Sequence, residues 1–145
     1  MDSIEPIVIV EALLQLSMIT MVGLYFIFSN TIVRTLTTLE SGAMVMVEIN
    51  KSILNPVFMG FFILSGIAGL YFFVFTEGLL AIAGLVFFIG TTLVTIIKNV
   101  PLNNRLLHAT EQERDKIWQM YSKRWVFWNH VRTVSGLLTG LLVSM

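Results

Sequence analysis

The chain has no cysteine, two histidines and three prolines, and only 12% of its 145 residues are charged. Without cysteine, disulfides, thiolate metal sites and thiol chemistry are excluded. The two histidines, His108 and His130, form no ligand pair at helical spacing, so no metal site is expected. Both fall on the same side of the topology derived below, which argues against two axial ligands for a haem. A glycine-rich phosphate loop, a dinucleotide fingerprint and a nucleophile elbow are all missing. The 9 basic and 9 acidic residues cancel, so the chain has no positive surplus for nucleic acid.

Apolar sequence is abundant. Hydrophobic residues make up 56% of the chain and the mean hydropathy is +0.84. The charged fraction is half the roughly 25% of a soluble domain. A hydrocarbon core of about 30 Å needs about 20 helical residues. Pro6 to Phe28, Pro56 to Phe75 and Leu79 to Ile97 each meet that length. Glu11 and Gln15 are the strongly polar residues of the first run. No base precedes that run, Asp2 and Glu5 do, and no small-residue cleavage pattern follows, so it does not read as a signal peptide. The fourth run, counted back from Met145, begins near Val126. The expected fold is all-α: a single integral membrane four-helix bundle over residues 1–145, with amphipathic cytoplasmic helical segments.

The fourth run differs from the others. It carries Asn129, His130 and Arg132 in its first two turns, on the order of 5–10 Å inside the boundary. Polar groups at that depth are costly unless they face the bundle or a wet cavity. The alternative is that Arg132 and His130 snorkel to the headgroups.

All the bases except Arg132 fall in two segments, Ser29–Asn55 and Lys98–Trp125. In a four-span topology both lie on one side, which the positive-inside rule makes cytoplasmic. Both termini then face outward. The expected location is the inner membrane of a bacterium, with membrane lipid as a partner.

Local signals set the organisation. Thr76-Glu77-Gly78 joins the second and third runs as a tight antiparallel pair. Thr38 to Lys51 has the spacing of an amphipathic helix, through Leu39, Ala43, Met46 or Val47, and Asn50. Asn55-Pro56 opens the second span, with proline where its missing N–H costs little. Pro101 is expected to end the third helix and put Asn99 near its C-cap. Thr110-Glu111-Gln112-Glu113 reads as a capping box. No breaker follows it until Gly136, so one helix should run from the cytoplasm into the fourth span. Gly136 with Gly140, and Ser65 with Gly69, are small-residue pairs that allow close helix approach.

Three constellations remain. Trp118, Tyr121, Trp125 and Trp128 cluster within 11 positions, 118 to 128. They read as an interfacial belt or as the wall of a pocket for a flat ligand. Trp118, Tyr121, Trp125, Trp128 or Asn129, and Arg132 recur on one helical face, which a belt does not need. Asn50, Asn55, Asn99, Asn103, Asn129 and His130 map to the same rim. Asn55, Asn99 and Asn104 can be caps; Asn50 and Asn103 have no capping job. Glu11 and Gln15 share a face near the outer side, where a protonated or snorkelling carboxylate is the simpler account.

The segment Asn99-Val100-Pro101-Leu102-Asn103-Asn104, then Trp118, then Trp125 through Thr133 resembles the anthrone oxygenase family. Asn50, Asn55-Pro56 and Phe58 fit the family's stretch before the second span. The resemblance implies a small four-helix membrane protein. It also implies oxidation of an anthrone to an anthraquinone by O2, without a recognised metal or organic cofactor. Carried onto this chain, it makes His130 the candidate base. Arg132, Asn103 and Asn50 become donors to a developing oxyanion. Trp118, Tyr121, Trp125 and Trp128 become the slot for a small aromatic substrate, with Asn99 and Asn129 beside it. His130 and Arg132 are two apart and do not share a helical face, so one cavity holds both only if it wraps the helix. The competing readings are a quinone- or lipid-binding protein, and a structural bundle that forms homo-oligomers through the Gly136/Gly140 and Ser65/Gly69 faces.

Overall fold

In the computed structural model, which describes residues 5–145, every regular element is a helix. Asp2 lies outside the described residues. Helix α1 spans Pro6–Leu36, α3 Pro56–Phe75 and α4 Gly78–Leu107, and these three are long and apolar enough to cross a membrane. The short helix α2 spans Gly42–Ser52 and the long α5 spans Glu111–Val143. α3 packs on α1 and α4, and α5 closes the group by packing on α1 and α4. α2 lies across one end, against α4 and α5. Apolar side chains cover the outside: Val57, Phe75, Ile19 and Val134 are each at least 65% exposed to the surroundings.

The punctuation read from the sequence recurs. Asn55 is the N-cap of α3, its Oδ1 accepting from the Phe58 N–H at 3.0 Å. Gly78 opens α4 with φ of +63°, a left-handed turn that suits glycine. α5 runs unbroken through Gly136 for 33 residues. α2 begins later than expected, at Gly42, because Thr37–Ser41 is taken up in turns and Leu39 stays 46% exposed. The Thr110 hydroxyl donates to Glu113 Oε2 at 2.8 Å instead of capping a backbone N–H.

Pro101 does not end a helix. α4 continues six residues past it to Leu107. The turns before it are π-helical, over Phe88–Leu93 and Thr95–Asn99, and Val100 N–H bonds back to the Thr95 carbonyl. Widened turns of this kind relieve the clash between a proline ring and the carbonyl four residues back. They also align the face that matters. Thr91, Thr95, Asn99 and Asn103 are four apart, and an ideal α-helix would rotate each by about 40° from the last. Turns with more residues reduce that drift and keep all four toward the interior. α1 carries a similar π-helical turn at Phe28–Ile32, beside Tyr25 and Ser29.

The small residues are used inside the chain. Gly69 and Gly84 bring α3 and α4 into backbone contact: a Cβ on Gly84 would lie 2.6 Å from the Gly69 carbonyl oxygen and the Phe73 nitrogen. Gly136 meets the Val22 side chain of α1, whereas Gly140 has open space around it. Gly84→Ala must therefore separate two backbones and is expected to cost about 1–3 kcal/mol. An unchanged thermal midpoint for this variant would contradict the close approach.

Candidate functional site

One cavity of about 160 Å³ lies between α1, α2, α4, α5 and the first turn of α3, near the basic end of the molecule. Its walls are mostly apolar and aromatic, including Leu24, Tyr25, Phe28, Met46, Phe58 and Trp125. Asn50, Asn99, Asn103 and Arg132 supply polar groups. Four of the residues singled out in the sequence thus converge here with Trp125, from three different helices.

α5 supplies the base of the site. Tyr121, Trp125 and Asn129 follow one another at four-residue steps, with Arg132 three further on, and all four are buried. Trp118, Tyr121 and Trp125 stack in series, with ring centroids 5.6 and 6.0 Å apart. This stack is the aromatic face read from the sequence. Trp128 is not part of it. Its ring lies in a different groove under Lys98, and the buried inward position belongs to Asn129.

Asn103 holds the stack to α4. Its Oδ1 accepts from Tyr121 Oη at 2.9 Å and from Trp125 Nε1 at 2.8 Å. Burial is the largest influence on the Tyr121 phenol and pushes it well above the usual tyrosine range. Tyr121 therefore keeps its proton and stays a donor. Two donors on one oxygen fix the orientation of the Asn103 amide and direct its NH2 elsewhere.

Arg132 lies furthest along α5 of these four and is 5% exposed. Its guanidinium carbon lies 4.4 Å from the Tyr25 ring centroid and 5.1 Å from that of Trp125, so the cation is held between two aromatic faces. Nη1 donates to Thr95 Oγ1 at 3.2 Å, and Nη2 donates to Asn129 Oδ1. Asn129 in turn donates through Nδ2 to the Tyr25 carbonyl at 2.8 Å and to Ser29 Oγ at 2.6 Å. The network ties α5 to α1 and α4 around the cation. No carboxylate pairs with it, because the ion pair found among the described residues is Lys51–Glu48 at the surface.

Three polar atoms of the cavity residues are buried with no hydrogen-bond partner: Asn50 Nδ2, Asn99 Oδ1 and Arg132 Nε. Asn99 is 1% exposed and Arg132 5%. Asn99 uses its Nδ2 on the Trp125 carbonyl at 3.3 Å, which leaves the oxygen free. Buried polar groups without partners are rare and cost about 1–3 kcal/mol each. Two donors and one acceptor of this kind beside one apolar cavity are suited to a flat ligand with polar edges.

His130 is not brought to this group. It is exposed, on the side of α5 turned away from Asn129 and Arg132. One residue of an α-helix is about 100° of rotation, so burying Asn129 and Arg132 turns His130, which directly follows Asn129, outward. Residues that the sequence reading passed over are Tyr25, Phe28 and Thr95. Thr95 stands four before Asn99, and Tyr25 is the one tyrosine in the first apolar run. At the far end, Tyr71 Oη donates to Glu11 Oε1 at 3.1 Å, so the carboxylate of α1 has a phenol partner. Among the described residues no three His, Asp or Glu side chains gather in a way that could hold a metal ion.

No curated protein and no solved structure matches this chain. The family model described as anthrone oxygenase matches residues 44–142, from α2 almost to the end of α5. That stretch contains Asn50, Asn99, Asn103, Trp125 and Arg132, and it is more than half of the sequence. The chain belongs to the anthrone oxygenase family.

Proposed function

We propose that the chain is a four-span integral membrane oxygenase that oxidises an anthrone-like or phenolic aromatic with O2, using no cofactor. Its basic segments, Ser29–Asn55 and Lys98–Trp125, face the cytoplasm and both termini face outward, in the inner membrane of a bacterium. The observation that carries the reading is Arg132: a buried guanidinium with no carboxylate, a free Nε, and a place in the wall of an aromatic cavity. A buried cation without a counter-ion is costly, and a ligand that arrives as an acid and ionises relieves that cost.

The chemistry follows from the substrate. The methylene of an anthrone lies opposite its carbonyl, and loss of one proton places negative charge on the carbonyl oxygen. An opposite charge within about 4–6 Å makes such an acid roughly ten- to a thousandfold stronger. Arg132 Nε and Asn50 Nδ2 donate to that oxygen, and Asn99 Oδ1 accepts from a phenolic hydroxyl of the substrate. The anion passes an electron to O2, and the resulting pair joins as a peroxide at the former methylene carbon. The peroxide takes back a proton from water at the mouth, and the hydroperoxide then loses the remaining hydrogen of that carbon with its outer OH as water, which leaves the second carbonyl. One oxygen atom enters the product and the other leaves as water, so no external reductant is needed.

The ionisable side chains lining the cavity are Tyr25, Lys51 and Arg132, with no imidazole or carboxylate among them. The proton therefore leaves to water at the mouth, beside Lys51 and the 67% exposed Leu54. His130 takes no part. His130→Ala is expected to keep turnover within about twofold, as for other exposed substitutions; loss of turnover would return it to the site. The volume is close to that of an engineered cavity of about 150 Å³ that holds benzene. One ring is enclosed and any further rings extend toward the mouth.

The test uses labelled dioxygen and an anthrone with the purified protein. The expected product is the quinone with one labelled oxygen, formed faster than by spontaneous oxidation. A rate equal to the spontaneous one would remove the enzymatic reading.

A further inference from the structure

A second seam between α4 and α5, on the outside of the molecule, is not used by the proposed reaction. We propose that it holds the headgroup of an anionic phospholipid, with the acyl chains passing Ile97 and Phe127. The inference rests on the membrane placement proposed above but not on the oxygenase chemistry.

The groove is about 590 Å³ in volume and open. Four bases line it: Lys98 and Arg105 from α4, Lys123 and Arg124 from α5. No acidic residue lines it, and none of the four forms an ion pair among the described residues. Like charges gathered around one groove repel unless an anion joins them. The Lys98 ammonium is held 5.0 Å from the Trp128 ring centroid, a cation–π contact at the level where interfacial tryptophans sit.

Polarity changes along the groove in the direction of the helices. Ile97 precedes Lys98 toward the apolar body of α4, and Phe127 follows Arg124 toward the apolar body of α5. Both are 58% exposed. A charged end followed by an apolar end is the profile of a phospholipid, and a soluble phosphate has no use for the second half. Basic pockets between spans at the cytoplasmic side take anionic headgroups. Phosphatidylcholine carries the same phosphate with a balancing cation, so four uncompensated bases favour phosphatidylglycerol over it.

The experiment titrates delipidated full-length protein in detergent with phosphatidylglycerol, phosphatidylcholine or glycerol phosphate. Bound lipid is counted by native mass spectrometry, alongside the thermal midpoint. Phosphatidylglycerol is expected to bind and raise the midpoint at roughly tenfold lower concentration than phosphatidylcholine. The exposed double substitution Lys98→Gln/Arg124→Gln is expected to remove that preference. Arg34→Gln/Arg114→Gln, outside the groove, is expected to keep it. Equal binding of both lipids would overturn the proposal, as would a groove variant that binds like the wild type. Equal loss in the control variant would assign the effect to bulk charge, and displacement by glycerol phosphate at comparable concentration would assign it to a soluble anion; either outcome also overturns it. Failure of the membrane placement would show separately, as protein that stays in solution without detergent.

Discussion

Arg132→Met is expected to lower turnover of an anthrone by about a hundredfold or more while thermal stability stays within about 2 kcal/mol of the wild type. The two halves of this result come from different physics. Replacing a buried cation with an apolar side chain of similar length removes a desolvation cost, and such exchanges are often neutral or stabilising by about 1–4 kcal/mol. Against that, Asn129 Oδ1 loses its donor and Thr95 Oγ1 loses a partner, which costs about 1–3 kcal/mol for a buried group. The opposing effects offset. Turnover has no such compensation, because methionine cannot stabilise an oxyanion. Arg132→Lys is expected to rescue little, since one ammonium cannot reproduce the fork that bonds Thr95 and Asn129 while leaving Nε free. A thermal melt and an O2-uptake assay on the same preparation separate the cases. A protein that melts far earlier but turns over normally would make Arg132 a structural clamp.

Asn103→Leu is expected to show a different pattern, with stability and turnover both falling. Asn103 Oδ1 is the acceptor for two donors, Tyr121 Oη and Trp125 Nε1. Leucine leaves both without a partner, at about 1–3 kcal/mol for each buried group, or about 2–6 kcal/mol together. Trp125 also loses the contact that orients its ring in the cavity wall. Adding Tyr121→Phe to Asn103→Leu removes one orphaned donor, so the double variant should be more stable than the sum of the single effects predicts. Strict additivity would mean that the hydrogen bond contributes nothing.

Much of this arrangement is legible in the sequence. Long apolar runs mark three helices because only helices satisfy every backbone group within one segment. Asn55-Pro56 and Thr76-Glu77-Gly78 are local signals, and the backbone obeys them. Helical periodicity also placed Tyr121, Trp125 and Arg132 on one face. The same periodicity left Trp128 and Asn129 as alternatives, since adjacent residues differ by only about 100°. Packing settled the choice, because Asn129 finds the Tyr25 carbonyl and Ser29 on α1, contacts that no reading along the chain reveals.

The course of α4 was not legible for a related reason. Proline is a local signal for a helix end, and π turns that absorb it depend on the interior partners of Thr95 and Asn99. Likewise, the resemblance made His130 the candidate base, whereas the buried Asn129 and Arg132 on α5 turn it outward. The bases of the outer groove read as a topological signal, and their convergence on one seam needs the packing of α4 on α5.

The most direct test of the central claim compares O2 uptake with an anthrone for the wild type, His130→Ala and Arg132→Met, each at equal folded concentration in one membrane mimic. Uptake should be alike in the first two and fall about a hundredfold or more in the third. Loss of uptake in His130→Ala with retention in Arg132→Met would contradict the account and move the chemistry to the other side of α5.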